Sequence, residues 1–369
     1  MRIPRVRVLE LGLVSLLGAA GCHRAPSTVV IAYGYPNRTN NVLEVVRREV
    51  AEWQDASGIR IQIVGDTSAA ADAPDLEVKR AEQFVAMHGL VGVVGHQSSR
   101  GSLATAPVYN EAGIVQITPT STSRMLRSAG PWTLNLAPDD SVEGAFIAGF
   151  VAERLGARRV TIFFVNDEYG LGLRDGIVAE LRRRGVGITD QVAMDTQSDF
   201  PTLVAASLAR AKPDAVVVAG RQLETGTIAR LMRELGEPRA VVGGDGALNL
   251  PMLAQFAGSA ADSVYAVAFW LPDATDSLSR AFVAQCRRVA GFTPQSMDAM
   301  SYDALLVMAA AVRTVGGEPA AVRRYLNELG VVRPPYPGVT GPITFIPGTR
   351  PRLLMTRLRN GKPERVLWP

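Results

Sequence analysis

The sequence predicts an α/β fold built as two lobes with parallel-sheet cores, and three observations predict it. Short β-branched runs alternate with amphipathic helical stretches along nearly the whole chain, the pattern of βα units laid on a parallel sheet. At 369 residues, 47% hydrophobic and 20% charged, the chain exceeds the usual size of one domain and can bury an ordinary core. Its 35 Gly and 23 Pro are spread out rather than gathered in one tract, so they punctuate many short elements.

Strands are expected at 29–32, 60–64, 91–94 and 115–117. Between the first two, 41–55 is a helix, because Leu43, Val46, Val50 and Trp53 share one face while Arg47, Arg48, Glu49 and Glu52 fall elsewhere. The stretch 76–87 repeats that pattern. Around Pro138, Asp139 and Asp140 the chain pauses before Val142, Phe146 and Phe150 open a new helix, and this pause is the expected first lobe crossing. A second set of units follows, with strands at 160–164, 215–218 and 240–242 and helices at 171–184, 201–211 and 223–235. A strand at 263–268 and a block of three helices from 277 to 329 come next. The stretch GPITFIPGTRPRLLMTRLRNGKPERVLW, broken by Gly and Pro, reads as terminal strands and turns. No repeat of fixed period links the halves.

The first 21 residues read as an address rather than as structure. A basic segment, 1–8, precedes the short apolar run LELGLVSLL and the small residues before Cys22, the pattern of a secretory signal. That run is shorter than the roughly 20 residues of a membrane span. The small residue before Cys22 resembles the lipobox of bacterial lipoproteins, in which the cysteine is acylated and becomes the new N-terminus; Ala19 and Glu10 depart from that pattern. An ordinary signal peptide cut near Ala20 is the other reading. Residues 22–28 are then an anchor linker, and the chain is expected outside the cytoplasm. Cys286 is the second of 2 cysteines and is placed half-buried on a helix.

Charge excludes one class of partner. The formal balance is +4, and without Arg2, Arg5, Arg7 and Glu10 it is 36 basic against 34 acidic residues. No basic run interleaved with aromatics would track phosphates, so a nucleic-acid partner is not expected. Arg182, Arg183 and Arg184 close a predicted helix, where cations complement its dipole.

Polar residues gather in three loops that follow predicted strands, the edge of an open α/β sheet where ligands bind. In VGVVGHQSSRGSLATAP, Gly95 permits a tight exit, and Ser98 and Ser99 either cap the next helix or offer an anion their hydroxyls and backbone N–H groups. In ITPTSTSRM, the residues Thr118, Thr120, Ser121, Thr122 and Ser123 exceed what one cap requires. In VVGGDGALN, Asp245 sits among Gly243, Gly244 and Gly246, as a turn former or as an acceptor for an ammonium. Tyr169 follows the strand TIFFV and can cover a ligand. Gly170, Gly172 and Gly176 resemble a nucleotide fingerprint only in outline, because the third glycine comes one residue late.

Catalytic patterns are weak. The 3 histidines, His23, His88 and His96, form no metal-ligand spacing, and GHQSSRG is not a nucleophile elbow. No cofactor or metal is expected. A periplasmic hydrolase using His96 with Ser98 or Ser99 is the remaining enzymatic reading.

Taken together, GVVGHQSS, YNEAGIVQITPTSTS, the pair Asp139 and Asp140, VNDEYGLGLRDG, the later Asp199 and Phe200, and GGDGA resemble the leucine/isoleucine/valine-binding protein family of type I periplasmic binding proteins. The resemblance runs from about Val29 to the C-terminal strands. It implies two Rossmann-like lobes joined by three hinge crossovers, a ligand in the cleft, and delivery to the permease of an ABC importer. On that pattern 29–138 with 268–342 form one lobe, and 139–267 with 343–369 the other.

The resemblance also assigns roles. Ser99 matches a serine that holds a ligand α-carboxylate, Thr120 a residue that lends its carbonyl to the ammonium, and Thr122 a threonine that touches both. Ser121 lies between them. Tyr169 matches a tyrosine that closes over the ligand, and Asp245 an acidic residue that pairs with the ammonium, shortened from glutamate. Where the family has an aromatic residue after strand 215–218, this chain has Arg221. That cation points to a ligand with an extra acidic or amide group, unless it faces solvent or pairs with Glu224. A ligand sensor of the same fold is the alternative to transport.

Overall fold

The β-branched runs become strands buried on both faces of two sheets. The computed structural model describes residues 27–35, 41–53, 58–65, 73–195, 197–346, 353–360 and 362–368. The leader, Cys22 and His23 lie outside the described residues.

The first sheet is built from β1 (Ser27–Tyr33), β2 (Ile59–Gly65), β3 (Leu90–Val94), β4 (Val115–Thr118) and β5 (Thr133–Asn135), in the order β2-β1-β3-β4-β5 and all parallel. Helices α1 (Asn41–Glu52), α2 (Pro74–Val85) and α3 (Ser99–Ala112) connect the first four strands. The chain then enters α4 (Asp140–Gly149), a π turn at Phe150–Arg154, and the second sheet.

That sheet takes β6 (Arg159–Val165), β7 (Gly187–Met194), β8 (Ala215–Ala219), β9 (Ala240–Gly243) and β10 (Val264–Ala268), linked by α5 (Glu168–Arg183), α6 (Phe200–Ala211), α7 (Gln222–Glu234) and α8 (Leu250–Ala257). Its parallel part runs β7-β6-β8-β9-β10, the doubly wound order of the first sheet repeated. Next the chain returns to the first lobe as α9 (Ser277–Ala290), α10 (Ser296–Val315) and α11 (Pro319–Glu328), with the small hairpin β11 (Tyr336–Gly338) and β12 (Gly341–Ile343). It passes back a last time to add antiparallel β13 (Leu354–Arg359) and β14 (Lys362–Val366) beyond β10. Three passages therefore join two α/β lobes, as the resemblance in the sequence implies.

Side-chain alternation explains why each strand sits where it does. In β1, Val30 and Ala32 face α2 and α3, while Val29, Ile31 and Tyr33 enter the core shared with α1 and α10. In β8, Val216 and Val218 pack with Ile228 and Met232 of α7, while Ala215, Val217 and Ala219 face the opposite side. Strands covered on both faces read as continuous apolar runs, which is why they were legible.

Three strands escape that signal, among them β11 of the small hairpin with only 3 residues. β7 is the sheet edge, and its Asp190 accepts from Ser207 Oγ and pairs with Arg210, so polar residues interrupt the run. β5 has only 3 residues, too few to show a period. The helix expected to run through Phe150 stops being α-helical at Gly149.

Helices α4 and α5 cross at glycines. A Cβ on Gly144 would lie 2.5 Å from the Gly176 backbone, and one on Gly172 would lie 2.1 Å from Asp140 Oδ2. The glycines of GLGLRDG thus serve helix packing, not a phosphate. Trp368, beyond β14, meets Phe146 and Phe150 edge-on at 5.0 and 5.7 Å and ties the terminal strands to α4. Cys286 is fully buried rather than half-buried, and burial pushes its thiol up to about 12. Among the described residues no single helix is long and apolar enough to cross a membrane.

Candidate binding cleft

A cleft of about 250 Å³ opens between the two sheets, and its walls come from the carboxyl ends of the strands. Gln97, Ser98 and Ser99 follow β3, Thr120 follows β4, Tyr169 follows β6 and Arg221 follows β8. Asp245, Gly246 and Leu248 follow β9, Phe269 follows β10, and Glu77, Gln222, Ser296 and Met297 come from the first turns of α2, α7 and α10. Five of the seven ligand-binding residues expected from sequence, Ser99, Thr120, Tyr169, Arg221 and Asp245, line this one space.

On the first-lobe wall the two serines divide their tasks. Ser98 is the N-cap of α3, and its Oγ accepts from Gly101 N at 3.0 Å. Ser99 is the first helical residue, with an Oγ that accepts from Thr122 N at 3.3 Å and Ser123 N at 3.2 Å. Both acceptor positions of that hydroxyl are thereby occupied, which leaves its O–H to donate. Thr120 Oγ1 reaches the Gln97 carbonyl at 3.1 Å and Tyr35 Oη at 2.7 Å.

Ser121 and Thr122 do not line the cleft. Ser121 is buried against Ser102 Oγ at 2.8 Å, and Thr122 is buried behind Ser99 with its hydroxyl near Asp140. Their density in the sequence therefore reflects support of the loop as well as the wall itself.

Behind this wall lies a network that sequence reasoning missed. Glu77 Oε2 accepts from Arg80 at 2.7 Å and meets His96 Nδ1 at 2.5 Å, while His96 Nε2 meets Tyr109 Oη at 2.9 Å. Burial opposes the Glu77 charge, yet His96 and Arg80 hold its carboxyl below the usual range. With both ring nitrogens engaged, His96 does not pair with Ser98 or Ser99, so the dyad of the alternative hydrolase reading is not assembled.

The second-lobe wall is electrostatic. Tyr169 Oη donates to Asp245 Oδ1 at 2.9 Å and accepts from Gly246 N at 3.1 Å. Arg221 lies over the Tyr169 ring at 5.1 Å, and its guanidinium donates to Asp167 Oδ2 at 2.7 Å, while its backbone N–H donates to Glu224 Oε2. Burial works against the Asp167 charge, but Arg221, the Gly170 N–H and Arg100 hold it below the usual carboxylate range. Arg221 thus brings N–H donors into the cleft with its charge already matched. At the mouth, Arg100 of α3 pairs with Glu168 of α5 at 2.8 Å across the lobes.

Beneath Asp245 sit two further acids. Glu143 Oε1 accepts from Asp245 N at 2.7 Å, and both Asp140 and Glu143 are 0% exposed. Among the described residues neither Asp140 oxygen has a hydrogen-bond partner, nor do Glu143 Oε2 and Thr122 Oγ1. Burial, only partly offset by the nearby Thr122 hydroxyl and reinforced by the charges of Asp245 and Asp139, pushes Asp140 up to about 8. Burial and the Asp245 charge push Glu143 well above its ordinary range. Asp245 is itself raised by burial, against the pull of Tyr169, Glu143, Gly246 N–H and Arg221. Among the described residues no group of acids, His or Cys is arranged to hold a metal ion.

Similarity to known proteins covers the same ground. A family model described as periplasmic binding protein matches residues 39–355. The Leu/Ile/Val-binding protein homolog 1 of Brucella abortus is 26% identical over 308 residues, covering 82% of this chain and 81% of that protein. A leucine-binding protein from Thermotoga maritima superposes with a TM-score of 0.83 at 21% identity, over 92% of this chain and 98% of that one. A branched-chain amino acid transporter substrate-binding protein from Streptococcus pneumoniae, in complex with isoleucine, gives 0.81 at 21% identity over 92% and 99%.

Proposed function

Because the chain belongs to the periplasmic binding protein family, we propose that its cleft binds an amino acid or a closely related small molecule and delivers it to the permease of an ABC importer. One observation carries this reading: a hydroxyl free to donate, Ser99, and a carboxyl positioned to accept, Asp245, line a single cleft from opposite sheets. A ligand bearing carboxylate and ammonium satisfies both at once. Its two ends then favour the state in which the lobes approach, because only that state offers both contacts.

Residues 29–138 with 268–342, and 139–267 with 343–369, are taken as the two closing bodies. In this reading Ser99 and the Thr120 carbonyl receive the ligand first, with Thr122 and Ser121 holding that loop, and Tyr169 and Asp245 complete closure. The side-chain end of the cleft is mixed, with Gln97, Gln222 and Arg221 polar and Leu248, Phe269 and Met297 apolar. That mixture favours a ligand with an amide or acidic group over a purely branched-chain one. The protein acts outside the cytoplasm, tethered through acylated Cys22, and does no chemistry on what it binds.

A thermal-shift screen of L-leucine, L-glutamine, L-glutamate and benzoate tests the reading. At a hundredfold excess over its dissociation constant a ligand adds about 2.7 kcal/mol of stability. Stabilisation by an amino acid is expected. A response to benzoate with none to any amino acid refutes the ammonium site.

A further inference from the structure

The carboxyl cluster under the cleft carries a consequence for how ligand binds. Resting on the reading of Asp245 as the ammonium acceptor, we propose that an ammonium-bearing ligand enters this cleft in exchange for a proton, which leaves the Glu143 and Asp245 carboxyl pair for solvent as the ligand's positive charge takes its place.

The geometry requires the pair to hold a proton before the ligand arrives. Glu143 and Asp245 are in contact through the Asp245 N–H, and Asp140 lies on the same helix as Glu143. Three ionised carboxylates packed together, with Asp140 and Glu143 wholly buried beneath the half-buried Asp245, would repel one another at low dielectric, a cost that protonation removes. Asp140 and Glu143 have no exposed surface through which a hydrated cation could approach, and no metal-holding arrangement exists among the described residues. The cation small enough to neutralise them is the proton. Thr122 Oγ1, buried at the same spot, joins Asp140 and Glu143 as a third group with a polar atom that has no hydrogen-bond partner among the described residues.

Nearby arginines do not remove that need. Arg127 is taken by Asp139, Arg221 is held by Asp167 and the Tyr169 ring, and Arg124 acts on Asp140 only through its charge. Tyr169 Oη, a neutral donor on Asp245, is raised well above its ordinary range by burial and by the Asp245 and Glu143 charges, so it stays protonated and does not supply the exchanged proton. Burial and mutual repulsion thus bias Glu143 and Asp245 toward the protonated form, and the pair titrates as a unit. An ammonium against Asp245 reverses that bias, because an opposite charge within a few ångströms favours the ionised carboxylate. The proton leaves and the net charge of the site is unchanged.

Linkage then sets the sign. Affinity should rise with pH while the free pair is protonated, by up to about tenfold per pH unit, and level off above that range. The test is isothermal titration of the full chain with L-leucine and with L-glutamine at one pH between 6 and 7, in buffers of different ionisation enthalpy. The expected result is a binding enthalpy that changes linearly with buffer ionisation enthalpy, in the sense of proton release approaching one per ligand, and a slope close to zero in Glu143→Gln. Tight binding with a buffer-independent enthalpy in the wild-type protein overturns the exchange while leaving the binding function intact. An unchanged slope in Glu143→Gln overturns it too, since the proton then comes from elsewhere. Failure of both probes to bind overturns the amino-acid reading and the exchange with it.

Discussion

Replacing Asp140 by asparagine keeps the side chain's size and removes its titration, so the variant isolates what one buried acid does to the stability of the fold. Among the described residues neither oxygen of the Asp140 carboxyl has a hydrogen-bond partner, and burial pushes the group from 3.8 to about 8. A folded-state value above the unfolded one means that the folded chain binds the proton more tightly. The favourable contribution is complete below about pH 4, is lost progressively as pH rises to about 8, and does not change further above it. Each pH unit in that window is worth at most about 1.4 kcal/mol, so the whole window is worth roughly 6 kcal/mol as a ceiling. Asparagine leaves its own unmet amide, a cost of about 1–3 kcal/mol that is the same at every pH. Urea denaturation of both proteins without ligand, at pH 5 and pH 8, separates the two effects. The wild-type protein should lose several kcal/mol more than Asp140→Asn between those pH values, and equal losses in the two proteins would refute the buried, proton-holding carboxyl.

Three other perturbations address the cleft and its support. Asp245→Ala should weaken amino-acid binding by about thirtyfold or more, the scale for truncating one partner of a buried charged pair, with circular dichroism unchanged; unchanged affinity by calorimetry removes Asp245 from the ammonium site. Arg221→Ala should weaken L-glutamine or L-glutamate by about tenfold while changing L-leucine little, the scale of one charged hydrogen bond; equal effects on all three dismiss its role in side-chain selection. Gly144→Ala places a methyl 2.5 Å from the Gly176 backbone, and the overpacking should cost about 1–3 kcal/mol in urea denaturation. A variant as stable as the parent would mean that α4 and α5 separate without penalty.

Much of the architecture was legible because its strands are covered on both sides. Runs such as AVVVA at β8 leave little alternative to a buried parallel strand. The cleft loops were legible for a related reason, since hydroxyls and glycines clustered after such runs mark the edge of the sheet. What escaped was whatever resembled something ordinary. Asp140 and Glu143 fall in the first turn of α4 behind the N-cap Asp139, where acids usually complement a helix dipole at the surface. Only the packing of α5 and the β9 loop over them turns two routine acids into buried ones. Asp167 was hidden in the same way, as the cap of α5 whose second oxygen turns to Arg221. Glu77 lies in the first turn of α2 rather than in a loop that follows a buried strand, and it joins the cleft because α2 packs beside α3.

The route of the chain also imposes an order of assembly. The second sheet takes β10 at residues 264–268 and its next strand, β13, only at 354–359, after the helices of the first lobe. Pairings so distant in sequence close late, since the intervening segment must be gathered before they yield anything. A chain that lacks β13 and β14 leaves the β10 edge of the second sheet open, without Trp368 to seal it against α4. Completion of that lobe thus waits on the most distal strands, which lengthens the interval in which the polypeptide is still pliable enough to be threaded elsewhere or captured by a chaperone.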